Sequence, residues 1–167
     1  MAAARAIELT TELIPEIKWP NDVLVSGKKV AGLLNEMSAE TDGINFVILG
    51  IGINLNMTAE QFPDDLRHPA TSLLIESGAR VDRSLFSGTL LLELGRLYAD
   101  FLQHGFGPVR EEWQHRCNAR GRQVVVSDSG TECTGGLFIG IDSDGALLLR
   151  SVDDTQYRIT CGDVRVL

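Results

Sequence analysis

The apolar positions Leu85, Phe86, Leu90, Leu94, Leu97, Tyr98, Phe101 and Leu102 recur at helical spacing and predict a long helix over 84–104, closed by Gly105. Residues 2–13 are alanine-rich and read as a helix that stops before Pro15. Between these two helices the period changes. Short apolar runs at 14–19, 23–25, 29–37 and 44–57 predict strands, with turns at Ser26-Gly27-Lys28 and Thr41-Asp42-Gly43. The last run is interrupted by Gly50 and Gly52. A loop or short helix over 58–69 leads to a helix over 70–77, with Gly78 as its stop. Pro108 opens a further helix through about Cys117.

After Asn118 the pattern becomes β-rich, with runs at 124–126, 137–141, 146–149, 157–159 and 164–167. Turn signals at Ser127-Asp128-Ser129-Gly130, Asp142-Ser143-Asp144-Gly145 and Cys161-Gly162-Asp163 separate them. Five short strands within about 48 residues predict a small barrel. The expected fold class is therefore α+β: a mixed or antiparallel sheet with helices over 1–118, then a barrel over 119–167.

Composition sharpens this picture in a few places. Hydrophobic residues are 44% of the 167 and charged residues 23%, which suits a buried core and argues against disorder. The net charge of -8 argues against nucleic acid as the main partner, although a local basic pocket for a small anion remains open. No apolar run approaches the ~20 residues of a membrane span. Three cysteines, Cys117, Cys133 and Cys161, without a C-x-x-C pair suggest neither a disulfide framework nor a zinc knuckle. A reducing cytoplasm is the expected setting. The first helix lacks a capping residue before it, which suggests a cut chain.

Three segments could carry chemistry. Lys18-Trp19-Pro20-Asn21-Asp22 presents a cation, an amide and a carboxylate within five residues. Lys18 could neutralise phosphate, and Asp22 with Asn21 offers oxygen ligands suited to Mg²⁺ riding on nucleotide phosphates. Alone, the same residues also read as an exposed lysine, a packed tryptophan and a Pro-Asn turn. Lys29-Val30-Ala31-Gly32-Leu33-Leu34 places a lysine before an apolar stretch and a glycine where a ligand could reach the backbone; an edge-strand lysine is the plain alternative. Gly50-Ile51-Gly52-Ile53-Asn54-Leu55-Asn56 puts two glycines inside a strand, which implies a bulge or a close ligand contact. It is not a dinucleotide-binding turn, because Leu55 stands where the third glycine would be and strand character continues.

The order of these segments, K-W-P-N-D, then K-x-x-G-x-L, then G-I-G-I-N-x-N, resembles the core of bacterial biotin protein ligases. The stretch Gly140-Ile141-Asp142-Ser143-Asp144-Gly145-Ala146-Leu147-Leu148-Leu149 resembles that family's C-terminal domain, an SH3-like barrel, so the likeness runs from about Arg5 to Leu167. The resemblance implies a ligase that joins biotin to ATP, giving biotinyl-adenylate and pyrophosphate, and then passes biotin to a lysine of a carrier protein. It implies that Lys29 is the catalytic cation at the biotin carboxylate and α-phosphate, with Gly32 and Leu34 lining the biotin pocket. It places Lys18, Asn21 and Asp22 near the ATP phosphates and Mg²⁺, Asn54 in the nucleotide site, and Gly50 and Gly52 where the backbone closes on the adenylate. Biotin carboxyl carrier protein or another acceptor domain is the implied partner, and a homodimer is left open.

The family's Gly-Arg-Gly-Arg loop is expected upstream of Met1, so residues 1–167 alone are expected to show little ligase activity. Ala119-Arg120-Gly121-Arg122 stands at the wrong place to be that loop. Lipoate ligases and octanoyl transferases, or a non-catalytic binding module, are the alternatives. His68, His104 and His115 lack metal spacing and read as surface or capping groups.

Overall fold

The computed structural model describes residues 1–40, 43–66, 68–128 and 131–167. The turns expected at Thr41-Asp42-Gly43 and Ser127-Asp128-Ser129-Gly130 lie partly outside these residues, as does the side chain of Cys133. In chain order the first half contains α1 (Ala2–Thr10), β1 (Glu16–Lys18), β2 (Asp22–Val25), β3 (Lys28–Glu40) and β4 (Gly43–Ile53). A single 3₁₀ turn (Ala59–Gln61) precedes α2 (Leu73–Ser77), α3 (Arg83–His104) and α4 (Gly107–Arg116). The second half contains β5 (Gln123–Asp128), β6 (Thr131–Ile141), β7 (Leu147–Arg150), β8 (Gln156–Ile159) and β9 (Asp163–Val166).

The first four strands form an antiparallel meander, β1-β2-β3-β4. One face of it is covered by helices. Ala3, Ala4, Ala6 and Ile7 of α1 meet Val23, Val25, Val30 and Ala31 of the sheet, with Leu73 and Phe86 closing the same core. Small alanines let α1 approach closely, and Ile7 and Leu73 are fully buried. Beyond this layer the β3–β4 hairpin continues outward. There Met37, Phe46, Val47 and Ile48 are all more than half exposed.

Local chemistry trims the expected helices. Helix α1 ends at Thr10 because the Thr10 and Thr11 hydroxyls donate back to the Ala6 and Ile7 carbonyls at 2.7 Å, and Thr11 is extended. Helix α2 starts at Leu73 rather than Ala70: Ser72 is its N-cap, accepting from Ile75 N–H at 3.2 Å, and Ala70 bridges to Lys29. Gly78 closes α2 in the left-handed conformation, and Asp82 caps α3.

Helices α1, α3 and α4 are tied by charge. The Arg5 guanidinium donates to Glu112 and, at 3.4 Å, to the buried Glu93. Arg116 donates to Glu8 and to Glu112. The hydrogen bond from Arg5 holds the Glu112 carboxyl below the ordinary value of 4.5, against the opposing effect of burial. A depressed carboxylate pKa stabilises the fold above the ordinary value and stops doing so as pH falls through the folded one. Glu112→Gln is therefore expected to cost about 1–2 kcal/mol at pH 7. Urea titrations across pH should show the gap to wild type shrinking below pH 4.5 and closing in stronger acid.

The second sheet is antiparallel in the order β8-β7-β6-β5-β9. All five expected strands are present, but among the described residues no pair joins β8 to β9, so the sheet is open and not a closed barrel. Strand β8 is only four residues long, and Thr160–Gly162 then carries the chain across to the far side of β5. Val124, Phe138, Leu147 and Leu149 are fully buried on its inner face. Trp19, from the first half of the chain, belongs to this core and not to the other. No helix among the described residues is long and apolar enough to cross a membrane.

Candidate functional site

The register of the first sheet aligns four residues singled out in sequence. Lys18 pairs with Asp22, Asp22 with Gly32, and Gly32 with Gly52, giving one row across all four strands. Directly paired residues share a face, so this row lies on the side away from the α1–α3 core. Lys29 joins that face through an irregularity. Val23 pairs with Ala31 but Leu24 pairs with Lys29, leaving Val30 as an extra residue. Val30 and Ala31 both enter the helix-side core. Without the bulge Lys29 would point there too; with it, the ammonium is turned onto the Asp22 side, as bulges next to functional sites do.

The Lys29 Nζ sits 2.6 Å from Asp22 Oδ1, an ion pair without the alignment of a hydrogen bond. Both lie over Gly32, where an added Cβ would stand 3.0 Å from Lys29 Cε and Nζ and 3.5 Å from Asp22 Oδ1. Gly32 thus leaves the space that the lysine occupies. An added Cβ at Gly52 would be in ordinary contact, and one at Gly50 would meet the Leu34 carbonyl at 3.4 Å.

A mainly apolar cleft of about 720 Å³ opens on this face. Lys29, Gly32, Gly52 and Asn54 line it from the sheet, and Met57, Phe62, Leu66 and His68 from the loop that follows β4. A smaller cavity of about 160 Å³ adjoins it, sharing Lys29 and His68 and adding Lys18, Asp22, Asn118 and Arg165. The loop is tied to the sheet. Asn54 Nδ2 donates to the Thr71 carbonyl at 3.0 Å, Lys29 N–H donates to Pro69 O and Thr71 N–H to Lys29 O, both at 2.9 Å.

Three of the singled-out residues, Asn21, Leu34 and Gly50, line neither the cleft nor the smaller cavity. Asn21 and Leu34 line a separate depression of about 320 Å³ beside Pro20 and Trp113. The Asn21 amide donates to Leu33 O at 2.7 Å, a clamp on the neighbouring strand. Asp22 touches both regions. Among the described residues no cluster of three or more His, Cys, Asp or Glu forms. A magnesium ion needs few protein ligands when phosphates supply the rest; Asp22 fits that role, while Asn21 does not converge with it on the cleft.

Three residues at the site escaped the sequence. Lys18 Nζ donates to Asp163 Oδ1 at 2.7 Å, and His68 Nε2 lies 2.8 Å from Asp163 Oδ2. Burial pushes the Asp163 carboxyl up, but the Lys18 hydrogen bond and charge and the His68 charge outweigh it and hold it low. Arg165, two residues on, lines the smaller cavity. His68 reads from sequence as a surface group, and nothing local links it to a residue 95 positions away. Trp19 turns from the cleft into the second core and donates from Nε1 to Gly145 O at 3.1 Å.

The chain matches known families at both ends. The profile of the Biotin/lipoate A/B protein ligase family fits residues 2–54, and that of the Biotin protein ligase C terminal domain fits residues 120–166. The bifunctional ligase/repressor BirA of Bacillus spizizenii is 40% identical over 167 residues, covering 99% of this chain and 50% of the relative. The biotin--[acetyl-CoA-carboxylase] ligase of Paracoccus denitrificans is 39% identical over 135 residues, covering 80% of this chain and 56% of the relative. Among solved structures, the biotin protein ligase of Aquifex aeolicus in complex with biotin and ATP superposes with a TM-score of 0.82 at 26% identity. That match covers 99% of this chain and 67% of the other. The chain spans about half the length of the curated relatives it matches. With both profiles in their expected order and the fold shared throughout, this chain belongs to the biotin protein ligase family.

Proposed function

We propose that this chain carries the part of a biotin protein ligase that holds the reacting carboxylate and the nucleotide. In the whole enzyme a biotin carboxylate oxygen attacks the α-phosphorus of ATP and pyrophosphate leaves. The amine of a carrier lysine then attacks the acyl carbon of biotinyl-AMP, AMP leaves, and the amine gives up a proton. Both steps develop negative charge where carboxylate and phosphate meet, and a fixed cation there stabilises it. The observation that carries the reading is the Lys29 ammonium, turned by the Val30 bulge onto the wall of an apolar cleft and seated over Gly32.

In this reading Lys29 is the catalytic cation, and Gly32 and Leu34 flank the biotin side. Asp22, Asn54 and Gly52 serve the nucleotide, and Lys18 acts near its phosphates. Magnesium would ride on the phosphates with Asp22 as its protein ligand, screening their charge. Asn21 contributes through its clamp on Leu33. Residues 1–118 form the C-terminal part of the catalytic domain and 119–167 the terminal domain. Biotin acceptor domains are the macromolecular partner, and a cytoplasmic setting goes with ATP as substrate. Repressor activity stays with the relatives that bear that name.

Calorimetric titration of the 167-residue chain with MgATP, biotin and lipoate tests the assignment. Binding of MgATP and of biotin over lipoate is expected, with Lys29→Ala weakening the biotin–nucleotide pair by about tenfold or more. Preference for lipoate would move the chain to the lipoate branch of its family. Binding of a carrier domain without either small molecule would leave only a docking module.

A further inference from the structure

We infer that Asp163 is a positioning residue for the cleft, one carboxylate on the C-terminal sheet that fixes two segments of the first half around Lys29. Its Oδ1 accepts from Lys18 at the end of β1, and its Oδ2 is engaged by His68 in the loop after β4. His68 immediately precedes Pro69 and Ala70, which run alongside Lys29 through the Lys29 N–H to Pro69 O bond and the Ala70 bridge. The loop that carries the cleft wall of Phe62 and Leu66 is therefore held to the first sheet by the Asn54–Thr71, Lys29–Pro69 and Thr71–Lys29 bonds, and to the C-terminal sheet by Asp163 to His68.

Strand β9 reaches the smaller cavity through Val164, Arg165 and Val166, while Asp163 acts through the groups it holds. Its side chain is 43% exposed, so its ion pairs contribute little to stability. What it supplies is placement. Without it Lys18 loses the carboxylate that aims its ammonium, and the loop loses the His68 tie to the C-terminal sheet. The C-terminal sheet is thereby coupled to the cleft. This inference rests on the cleft being a nucleotide site.

The test compares wild type, Asp163→Asn and Asp163→Glu in the 167-residue chain by MgATP titration and amide hydrogen exchange. Asp163→Asn should weaken MgATP binding by about fivefold, the size of one partly exposed ion pair. Asp163→Glu should recover most of that loss. The Lys29 and Thr71 amides should exchange faster in Asp163→Asn. The Trp19 indole N–H resonance should stay unmoved, showing the two halves still docked. Unchanged MgATP affinity together with unchanged exchange would overturn the inference while leaving the nucleotide reading intact. If wild type binds no MgATP, the nucleotide reading fails and exchange decides alone: faster Lys29 and Thr71 exchange supports the coupling, and unchanged exchange overturns it.

Discussion

Trp19→Ala is expected to destabilise the chain by about 3–5 kcal/mol, the cost of emptying a large aromatic site in a core. Trp19 is 6% exposed and packs with Val124, Phe138, Leu147 and Leu149, all from the second sheet. It is a plug supplied by one half of the chain to the core of the other. Truncation would leave a cavity there and strand the Gly145 carbonyl that accepts from the indole. Trp19→Phe keeps most of the apolar volume and loses that hydrogen bond, so a cost of about 1–2 kcal/mol is expected. Urea unfolding followed by Trp113, which lies 6.4 Å from the Phe138 ring in the same core, reads both variants. An unchanged midpoint for Trp19→Ala would mean that the two halves do not share this core in solution.

Gly32→Ala is expected to separate function from stability. The new methyl would meet the flexible end of Lys29 at 3.0 Å, not backbone. The lysine can swing away, so the fold should lose no more than about 1 kcal/mol. Swinging away breaks the ion pair with Asp22 and takes the ammonium from the place where charge would develop. Ligand affinity should fall by about tenfold or more, and Gly32→Val should lose more. Thermal unfolding beside calorimetry checks both halves of this expectation. Wild-type affinity in Gly32→Ala would show that the seat over Gly32 is not the working position of Lys29.

Most of the elements were legible because their signals are local. The α3 period, the Gly78 and Gly105 stops, the four strands of the first sheet and the five of the second each follow from residues a few positions apart. Boundaries moved where side chains compete with the backbone, as at Thr10, Thr11 and Ser72. The open edge between β8 and β9 was not legible, since pairing depends on where a short turn sends the chain.

At the site, the motif residues Lys18, Asp22, Lys29, Gly32, Gly52 and Asn54 were all visible in sequence, and the fold gathers them around the cleft and the cavity beside it. Asn21 and Leu34 look equally good as letters, yet they line another depression, with Leu34 farther along the face that carries Gly32. The Val30 bulge was invisible, although it decides which way Lys29 faces. His68 and Asp163 were missed for a different reason. Their meaning lies in contacts across 95 and 145 positions, and no local pattern encodes those.

The most direct test is chemical-shift mapping of the 167-residue chain with a non-hydrolysable biotinyl-adenylate analogue. The largest shifts are expected at Lys29, Gly32, Gly52, Asn54 and His68, and Lys29→Ala should abolish them at the same ligand concentration. Saturable binding that leaves these amides unmoved, or that survives Lys29→Ala unchanged, would contradict a ligase site built around Lys29.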